Sequence, residues 1–555
     1  MFNIKEFIVS SIWKTFLLFC FFSMQCHSEE GGNLRSNIDY RELQSLLELR
    51  EHLKIEDYDV WPRGSNPCNQ WYGVVCNKVH VVSLTLPPQI DVRLHLEAKS
   101  LSTNESLLLD LVVSDLVKLP FLRSFNASGY MFQGSISTTF SKLKRLEVLD
   151  LASTSISGTL PLTFGTLTRL KFLSLAENNL SGNVFTSLGT LCNLEHLNLS
   201  FNLFTGWLPD SLFSCASRLL SVDLSYNGFE GTLPMSIGCL SSLQYLALSH
   251  NFLQGNLPLQ HQNWTHLEYL DISNNFLSGS LPTSISSLES LSNLNLGHNC
   301  LTGPIPSTIS ECSRLEVLLL DNNMLNHGIP ISLSMLKNLV TLSLSFNNLT
   351  GTLPPGILAL PNLTSIGLSH NLLYGWLYSS QGYLSKFQSF DVSYNFLHGD
   401  IPPRFYLLDG IAKNCFAKVP KQHSFKSCWL FYSKHKLSWH DLLPESIVPN
   451  NITVSSRDVH EKKIHRKEKL IVFLAYVTGG SCILAIAGVY MIFLQKFKHN
   501  LEVDVQPQTI VTEAEKVSSV VLWPSNNTFL GETFSFDTLH KATNEFNSSC
   551  VIAYG

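Results

Sequence analysis

Two residue sets in the sequence have the type and spacing for covalent chemistry. Cys68 and Cys76 lie close together in the chain, and so do Cys415 and Cys428. In an exported chain such pairs close as disulfides, and both are expected to do so. Cys192, Cys215, Cys239, Cys300 and Cys312 remain in the same stretch. They are read as buried free thiols, which behave as small apolar side chains. No convergent ligands at metal-site spacing accompany them, so no metal is expected. The second set is the Asn-x-Ser/Thr triplets at Asn104, Asn126, Asn179, Asn198, Asn263, Asn348, Asn362 and Asn451. Each accepts a glycan if that part of the chain is exported. Asn526 and Asn547 also match, but they lie beyond the second apolar segment described below and are expected to stay bare.

Catalytic chemistry finds no such support. Phosphoryl transfer needs a glycine-rich cover over the phosphates, a phosphate-binding Lys, a catalytic Asp and metal-binding Asp/Asn. No G-x-G-x-x-G, V-A-I-K, H-R-D or D-F-G occurs, and Arg457-Asp458 has no His before it. Local nucleophile–base and paired-carboxylate motifs are missing as well. The chain reads as a non-enzyme with no catalytic residues and no cofactor.

Function must therefore lie in the elements that present side chains to a partner. Charged residues are 15% of the chain, hydrophobic residues 45%, and mean hydropathy is +0.12. Disordered and charged coiled-coil classes do not have that composition. With 38 basic against 43 acidic residues, there is no cationic excess to neutralise phosphates, and nucleic acid is excluded as a partner. Two apolar segments stand out. Phe16–Phe22 follows Lys5 and Lys14 and is too short to span a bilayer. It has the layout of a secretory signal, with a cut expected after Ser28. Residues 470–494 contain no charge, and a helix of that length covers the ~30 Å hydrocarbon core. Lys462, Lys463, Arg466, Lys467 and Lys469 precede it, while only Lys496 and Lys498 follow. That balance alone favours the reverse orientation, but an earlier export signal dominates. Residues 29–469 are thus expected outside and 495–555 inside, a single-pass type I arrangement at the plasma membrane.

Between these segments runs a repeat, L-x-x-L-x-L-x-x-N-x-L-x-G-x-L/I-P. Its Asn residues are Asn178, Asn202, Asn227, Asn251, Asn275, Asn299, Asn323, Asn347, Asn371 and Asn395, at a constant period broken by one longer step between Asn202 and Asn227. Two earlier units carry Tyr130 and Thr154 in the Asn slot. About twelve units over 122–402 define a leucine-rich repeat solenoid, an α/β horseshoe lined by a parallel sheet. In each strand, as in Leu246-Ala247-Leu248, alternation buries the Leu residues and turns the residues between them to the concave face. The Asn is expected to satisfy backbone groups of its own turn and of the next unit. Glycine suits a tight position after it, and His327, which replaces that Gly beside Gly328, should mark a local irregularity. A cap with the first cysteine pair is expected over 29–86, an irregular insertion over 87–121, a second cap with the other pair over 403–430, and a stalk over 431–469.

The concave columns can be tallied by reference to the Asn. Large or charged members concentrate in the first half, and the candidate ligand patch is Phe172, His196, Asp223, Tyr245, Tyr269 and Asp271. Later strands carry small residues. His250, His298, His370, Phe201, Tyr226, Phe346 and Tyr394 directly precede the Asn, a slot expected to serve packing. Asn198 is both a sequon residue and a concave position, so a glycan there would stand over His196 and Asp223.

The Cys-Asn-Gln-Trp71-Tyr-Gly73-Val-Val-Cys76 cap, the periodic L-x-G-x-L/I-P repeat and the single apolar span resemble the plant leucine-rich repeat receptor-like kinases. Phe534 to Phe546 is similar to the segment just ahead of the catalytic domain in that family. The sequence stops at Gly555, where the family's glycine-rich loop should begin. The resemblance implies a membrane-embedded receptor that takes an extracellular peptide, carbohydrate or protein ligand and signals through partners, other receptor-like kinases among them. It includes members with degenerate kinase domains. The alternatives are a co-receptor or decoy interaction module, or a truncated form of a serine/threonine receptor-like kinase.

Overall fold

The computed structural model describes residues 38–437 apart from 56–59, 88–108, 133, 185–187, 209, 215–216, 259–263, 378–386, 400, 402–408 and 418. The expected signal, apolar span, cytoplasmic segment and most of the stalk lie outside these residues. Among the described residues, no helix is long and apolar enough to cross a membrane.

Each repeat contributes a three-residue strand whose central residue is apolar. Leu197, Val222, Leu246, Leu270, Leu294 and Leu318 are all at most 1% exposed. A strand this short buries too little to persist alone. Stacking makes the apolar positions one continuous core. Fourteen strands form one sheet, from Val74–Asn77 to Ser389–Asp391, parallel throughout except for the first pair. Register is strict: Tyr245 pairs with Tyr269, Leu246 with Leu270 and Ala247 with Asp271. Behind it, short lateral strands form further parallel sheets, the longest of six strands. The motif proline then opens a 3-10 turn, as at Thr283–Ser287, Ser307–Glu311 and Ile331–Met335. Proline suits that place because its φ is fixed and a missing N–H costs nothing there. Ile285, Ile309 and Leu333 from these turns are fully buried.

The asparagine ladder locks one unit to another. Asn275 Nδ2 donates to Leu248 O at 2.9 Å, and also to Ile272 O and Ser273 O, while its Oδ1 accepts from Leu253 N. The bonds to Ile272 and Ser273 stay in its own turn, as expected, while those to Leu248 and Leu253 run to the preceding unit and not to the next one. The chain leaves the strand turning back under its predecessor, so those are the backbone groups within reach. The ladder also continues one rung beyond Asn395. Asn414 bonds Val392 O, Ile411 O, Ala412 O and Leu397 N in the same manner.

The glycine slot demands a left-handed backbone: Gly255 has φ +80°, and a Cβ there would lie 2.9 Å from Thr232 Cγ2. His327 takes the slot at φ +66°. The lateral strand Met324–Gly328 runs straight through it, so the expected irregularity is confined to one strained side-chain-bearing residue.

At the N-terminal end, α1 (Tyr40–His52) is capped by Asp39, which accepts from Arg41 N and Glu42 N. Its Leu46 and Leu49 are buried. Trp61 stacks on Trp71 at 4.8 Å, next to the Cys68–Cys76 disulfide. The stretch 87–121, read as irregular, contains α2 (Leu109–Leu116). Leu109, Val112, Val113 and Leu116 recur at helical spacing and are buried. Asp115 ties α2 to α1 through Ser45 Oγ and His52 Nδ1.

At the other end, the Cys415–Cys428 disulfide joins α3 (Phe425–Lys434) to the last rung. The helix extends past residue 430, so the cap reaches into the expected stalk. Tyr432 Oη donates to Phe396 O at 2.8 Å and accepts from Gly375 N at 3.0 Å. Tyr432→Phe should cost about 1–3 kcal/mol, because it leaves a Gly375 N–H and a Phe396 carbonyl without this partner. A urea melt reads this directly, and an unchanged midpoint would mean that water replaces the hydroxyl.

The remaining cysteines correct the sequence expectation. Cys192 is disulfide-bonded. Cys239 is free but exposed, Cys300 is half-buried, and among the described residues only Cys312 is a buried thiol. Cys215 lies outside the described residues.

Candidate functional site on the concave sheet

The six residues of the candidate patch fall on five consecutive strands of the long sheet. In one column, register places Phe172 beside His196, then Ser221, Tyr245 and Tyr269. In the next column lie Ser174, Asn198, Asp223, Ala247 and Asp271. The structure therefore brings Asp223, Tyr245, Tyr269 and Asp271 into one group. Phe172 and His196 form a separate pair, 5.9 Å apart and tilted, with the small Ser221 intervening.

Tyr245 and Tyr269 stack face to face, their centroids 4.5 Å apart. Burial raises the pKa of both phenols, and the Asp223 and Asp271 charges add to that. Tyr269 Oη donates to Asp271 Oδ2 at 3.4 Å. Burial pushes Asp223 up to about 6, against the opposing hydrogen bonds from Ser225, and it raises Asp271 too. His196 is lowered by burial.

The two aspartates also have a structural task that the sequence reading missed. Asp223 Oδ1 accepts from Ser225 N and Ser225 Oγ, and Asp271 Oδ1 accepts from Ser273 N. Asn126, Asp150, Asn198, Asn295 and Asp391 make the same bond two residues on. An Asx turn thus ends these strands. The visible signal was the Asp/Asn-x-Ser spacing shortly before the ladder Asn. In Asp223 and Asp271, one carboxylate oxygen serves the turn, and in Asp271 the second already accepts from Tyr269 Oη.

The ring slot before the ladder Asn departs further from expectation. Phe201, Tyr226, Phe346 and Tyr394 are 42–51% exposed. All four have φ near +54°, which carries the side chain out of the core. Packing in this slot is therefore ring upon ring at the surface. Phe201 stacks on Tyr226 at 4.2 Å and Tyr226 on His250 at 4.0 Å. A second run joins Phe346, His370 and Tyr394 at 4.2 and 4.1 Å. His298, also expected to pack in this slot, instead pairs with Asp321 at 3.5 Å.

An open cleft of about 450 Å³ lies elsewhere, at the C-terminal end of the sheet. Asp391, Tyr394, Lys413 and Lys421 are among its lining residues, five strands beyond Tyr269–Asp271. It is shallow, and the denser arrangement of polar and aromatic groups is at the tyrosine pair. Among the described residues, no group of three or more His, Cys, Asp or Glu could hold a metal ion.

Of the sequons, Asn126 and Asn198 lie in concave-sheet strands, and Asn179 and Asn348 in lateral strands. Asn362 is exposed, its Nδ2 bonded to Lys337 O. Asn104, Asn263 and Asn451 lie outside the described residues. In the Asn198 triplet, the Ser200 hydroxyl is buried and donates to Asn198 Oδ1 at 2.7 Å.

Family models agree with this architecture. The Leucine rich repeat N-terminal domain matches residues 39–77. Leucine rich repeat models match 265–325 and, separately, 145–167, 193–215, 218–240 and 338–360. Solved structures are similar over about half of the chain or more. The plant peptide hormone receptor RGFR1 in complex with RGF2 is 34% identical over 53% of this chain and 47% of its own, with a TM-score of 0.50. The described domain is thus similar to the repeats of plant leucine-rich repeat receptors. A TDR receptor is 34% identical over 54% of this chain and 52% of its own, at a TM-score of 0.51. PEPR1 with AtPEP1 is 27% identical over 68% and 55%, at 0.53. The chain thus spans about half the length of these solved structures. Only leucine-rich repeat domains are found in it, and no kinase domain is detected. No curated protein matches it significantly.

Proposed function

We propose that the protein is an exported, single-pass plasma-membrane receptor whose repeats recognise an extracellular peptide on the concave sheet and whose signal passes through partner proteins. The observation that carries this reading is the stacked Tyr245–Tyr269 pair with Asp223 and Asp271 alongside. Rigid aromatic faces with a few oriented polar groups are what binding hot spots use. One of the similar solved structures is, by its title, a plant peptide hormone receptor in complex with RGF2, which supports a peptide over a carbohydrate. The chain acts without catalysis of its own.

Panning a random phage-displayed peptide library on the full chain in detergent tests the reading. Enriched peptides should bind the native protein and lose at least tenfold in affinity to Tyr269→Ala, since a central aromatic anchor is worth ~2 kcal/mol. Enrichment of no peptide, or binding indifferent to Tyr269→Ala, would overturn it. Topology has its own test: in sealed microsomes 29–469 should be protected from protease, and protection of 495–555 instead would reverse the orientation.

The exported sequons carry glycans in this reading. Asn198 is modified before folding, because its triplet hydroxyl is later buried. The sugar then shields His196 and leaves Tyr245, Tyr269 and Asp271 open. Glycopeptide mass spectrometry should find Asn198 occupied; a bare Asn198 would restore His196 to the accessible face.

A further inference from the structure

We infer that the C-terminal cap docks on the lipid bilayer, with the outer face of α3 seated among the headgroups. The inference rests on the reading above that residues 470–494 span the membrane, and it adds a lipid surface as a partner of the repeat domain.

α3 has two unlike faces. On the inner one, Cys428 is bonded to Cys415, Tyr432 bonds Phe396 O and Gly375 N, and Phe431 stacks on Phe396 at 3.7 Å. A covalent bond, two hydrogen bonds and a ring stack thus fix the helix to the last rung, and its outer residues are not needed to hold it. Yet the outer face carries Phe425, Trp429 and Leu430, which are 60%, 47% and 50% exposed. Phe425 and Trp429 stand one turn apart. Leu430 lies on the neighbouring stripe, with Lys426 one turn before it and Lys434 one turn after. Single apolar residues scattered over a surface need no explanation, but three within one short helix form a patch.

Charge indicates what covers the patch. From Gly410 to Leu437 the sequence holds six lysines and neither Asp nor Glu. The whole chain has an acidic excess, 43 against 38, so this basic end is a local departure. At the opposite end, α1 mixes both signs, with Glu42, Glu48 and Glu51 beside Arg41 and Arg50. Lys426, Lys434 and Lys436 are exposed. Trp, Phe and Leu with Lys beside them make up an interfacial helix. Its rings enter the boundary between headgroups and acyl chains, where Trp settles because it is apolar with one polar N–H. The lysines lay their apolar stems along the same surface and set their ammonium groups against phosphate oxygens.

Position in the chain completes the case. Only residues 438–469 separate the cap from the span, and a coil of that length averages about 30 Å end to end. The cap is tethered near the surface that its composition suits, and a tether fills a contact too weak to form between free molecules.

The test places the full chain in nanodiscs of phosphatidylcholine and phosphatidylglycerol, with plain acyl chains or with chains brominated near the headgroup. Bromine quenches an indole only at contact range, and subtracting the emission of Trp429→Phe isolates Trp429 among the nine tryptophans. We expect Trp429 emission to fall by about half or more in the brominated discs, as for an indole held at the headgroup boundary. Phe425→Glu/Leu430→Glu should restore it, with urea melts confirming that this variant of exposed positions is folded. Unquenched Trp429 in discs that hold the protein would overturn the inference and leave the membrane reading standing. In that case a blue-shifted Trp429 would mean cover by a second copy if the shift vanishes at one chain per disc, and by the chain's own stalk if it persists. Quenching that survives the double Glu variant would overturn the face assigned here. Failure of the chain to enter the discs would overturn the span at 470–494, and this inference with it.

Discussion

Asn275→Ala should destabilise the protein by about 3–5 kcal/mol, because it strands several buried backbone groups at once. The side chain is 4% exposed and makes four hydrogen bonds, three to carbonyls and one from the Leu253 N–H. Alanine removes all of them and admits no water to replace them. Each unmet buried group costs roughly 1–3 kcal/mol, which together exceed a typical point-mutant loss. Asn275→Asp should be at least as harmful. It keeps an acceptor for Leu253 N but turns a carboxylate oxygen toward the carbonyls of Leu248, Ile272 and Ser273. The damage should be local, because solenoid units are coupled only to their neighbours. Hydrogen exchange should therefore rise first at Leu253, while the capped end around Asn414 stays protected. A loss below about 1 kcal/mol in urea melts, no more than one ordinary hydrogen bond, would show that the ladder is ornamental to stability.

The ladder also shows what a sequence of this kind reveals and what it hides. Ten asparagines in register fix the period, and the period fixes the strands, because only one face of each unit can be buried. The same spacing says that the Asn bonds backbone but not in which direction, since the chain's path under the preceding unit is a three-dimensional fact. Alternation put Asp223, Tyr245, Tyr269 and Asp271 on the concave face. The same column tally sets Ser221 between His196 and Tyr245, but it does not say which rings touch, because stacking depends on side-chain rotamers across strands a full repeat apart. The exposed rings of Phe201 and Tyr226 were hidden for another reason. A left-handed backbone reverses the side-chain direction that a strand rule predicts, and bulky residues adopt it only when a repeat enforces it. Asn414 was missed because the step from Asn395 is shorter than a full repeat. The helix of 109–116 was legible in its i, i+3, i+4, i+7 spacing but falls in a stretch that fits no repeat frame.

Asp223→Asn should stabilise the protein at pH 7.5 by about 2 kcal/mol and leave it nearly unchanged at pH 3. Burial pushes the folded-state pKa of Asp223 up to about 6, from an ordinary value near 4. A carboxyl raised in the folded state binds its proton more tightly there than in the unfolded chain. Its stabilisation is thus greatest at low pH and is lost as pH rises from about 4 through 6. Each tenfold gain in proton affinity is worth ~1.4 kcal/mol, which sets the ceiling, and partial solvent contact brings the expected effect below it. Asp150 is pushed to about 6 by burial as well. His250 works in the opposite sense: burial lowers it to about 4, so its contribution is present above its ordinary value near 6.5 and fades as pH falls. The native protein should accordingly show a shallow pH profile in which these terms offset each other, and only the difference between variant and native isolates Asp223. That difference should be close to zero at pH 3, where the carboxyl is largely protonated in both folded and unfolded chains, and should reach its plateau above pH 7. An equal gain at both pH values would assign the effect to packing, and a loss at pH 7.5 would mean that the turn to Ser225 needs the full carboxylate charge. If the gain appears, Asp223 is a residue held at a cost to the fold. The concave face then keeps a partly desolvated negative charge that the solenoid would be more stable without, as expected where binding, rather than folding, sets the residue.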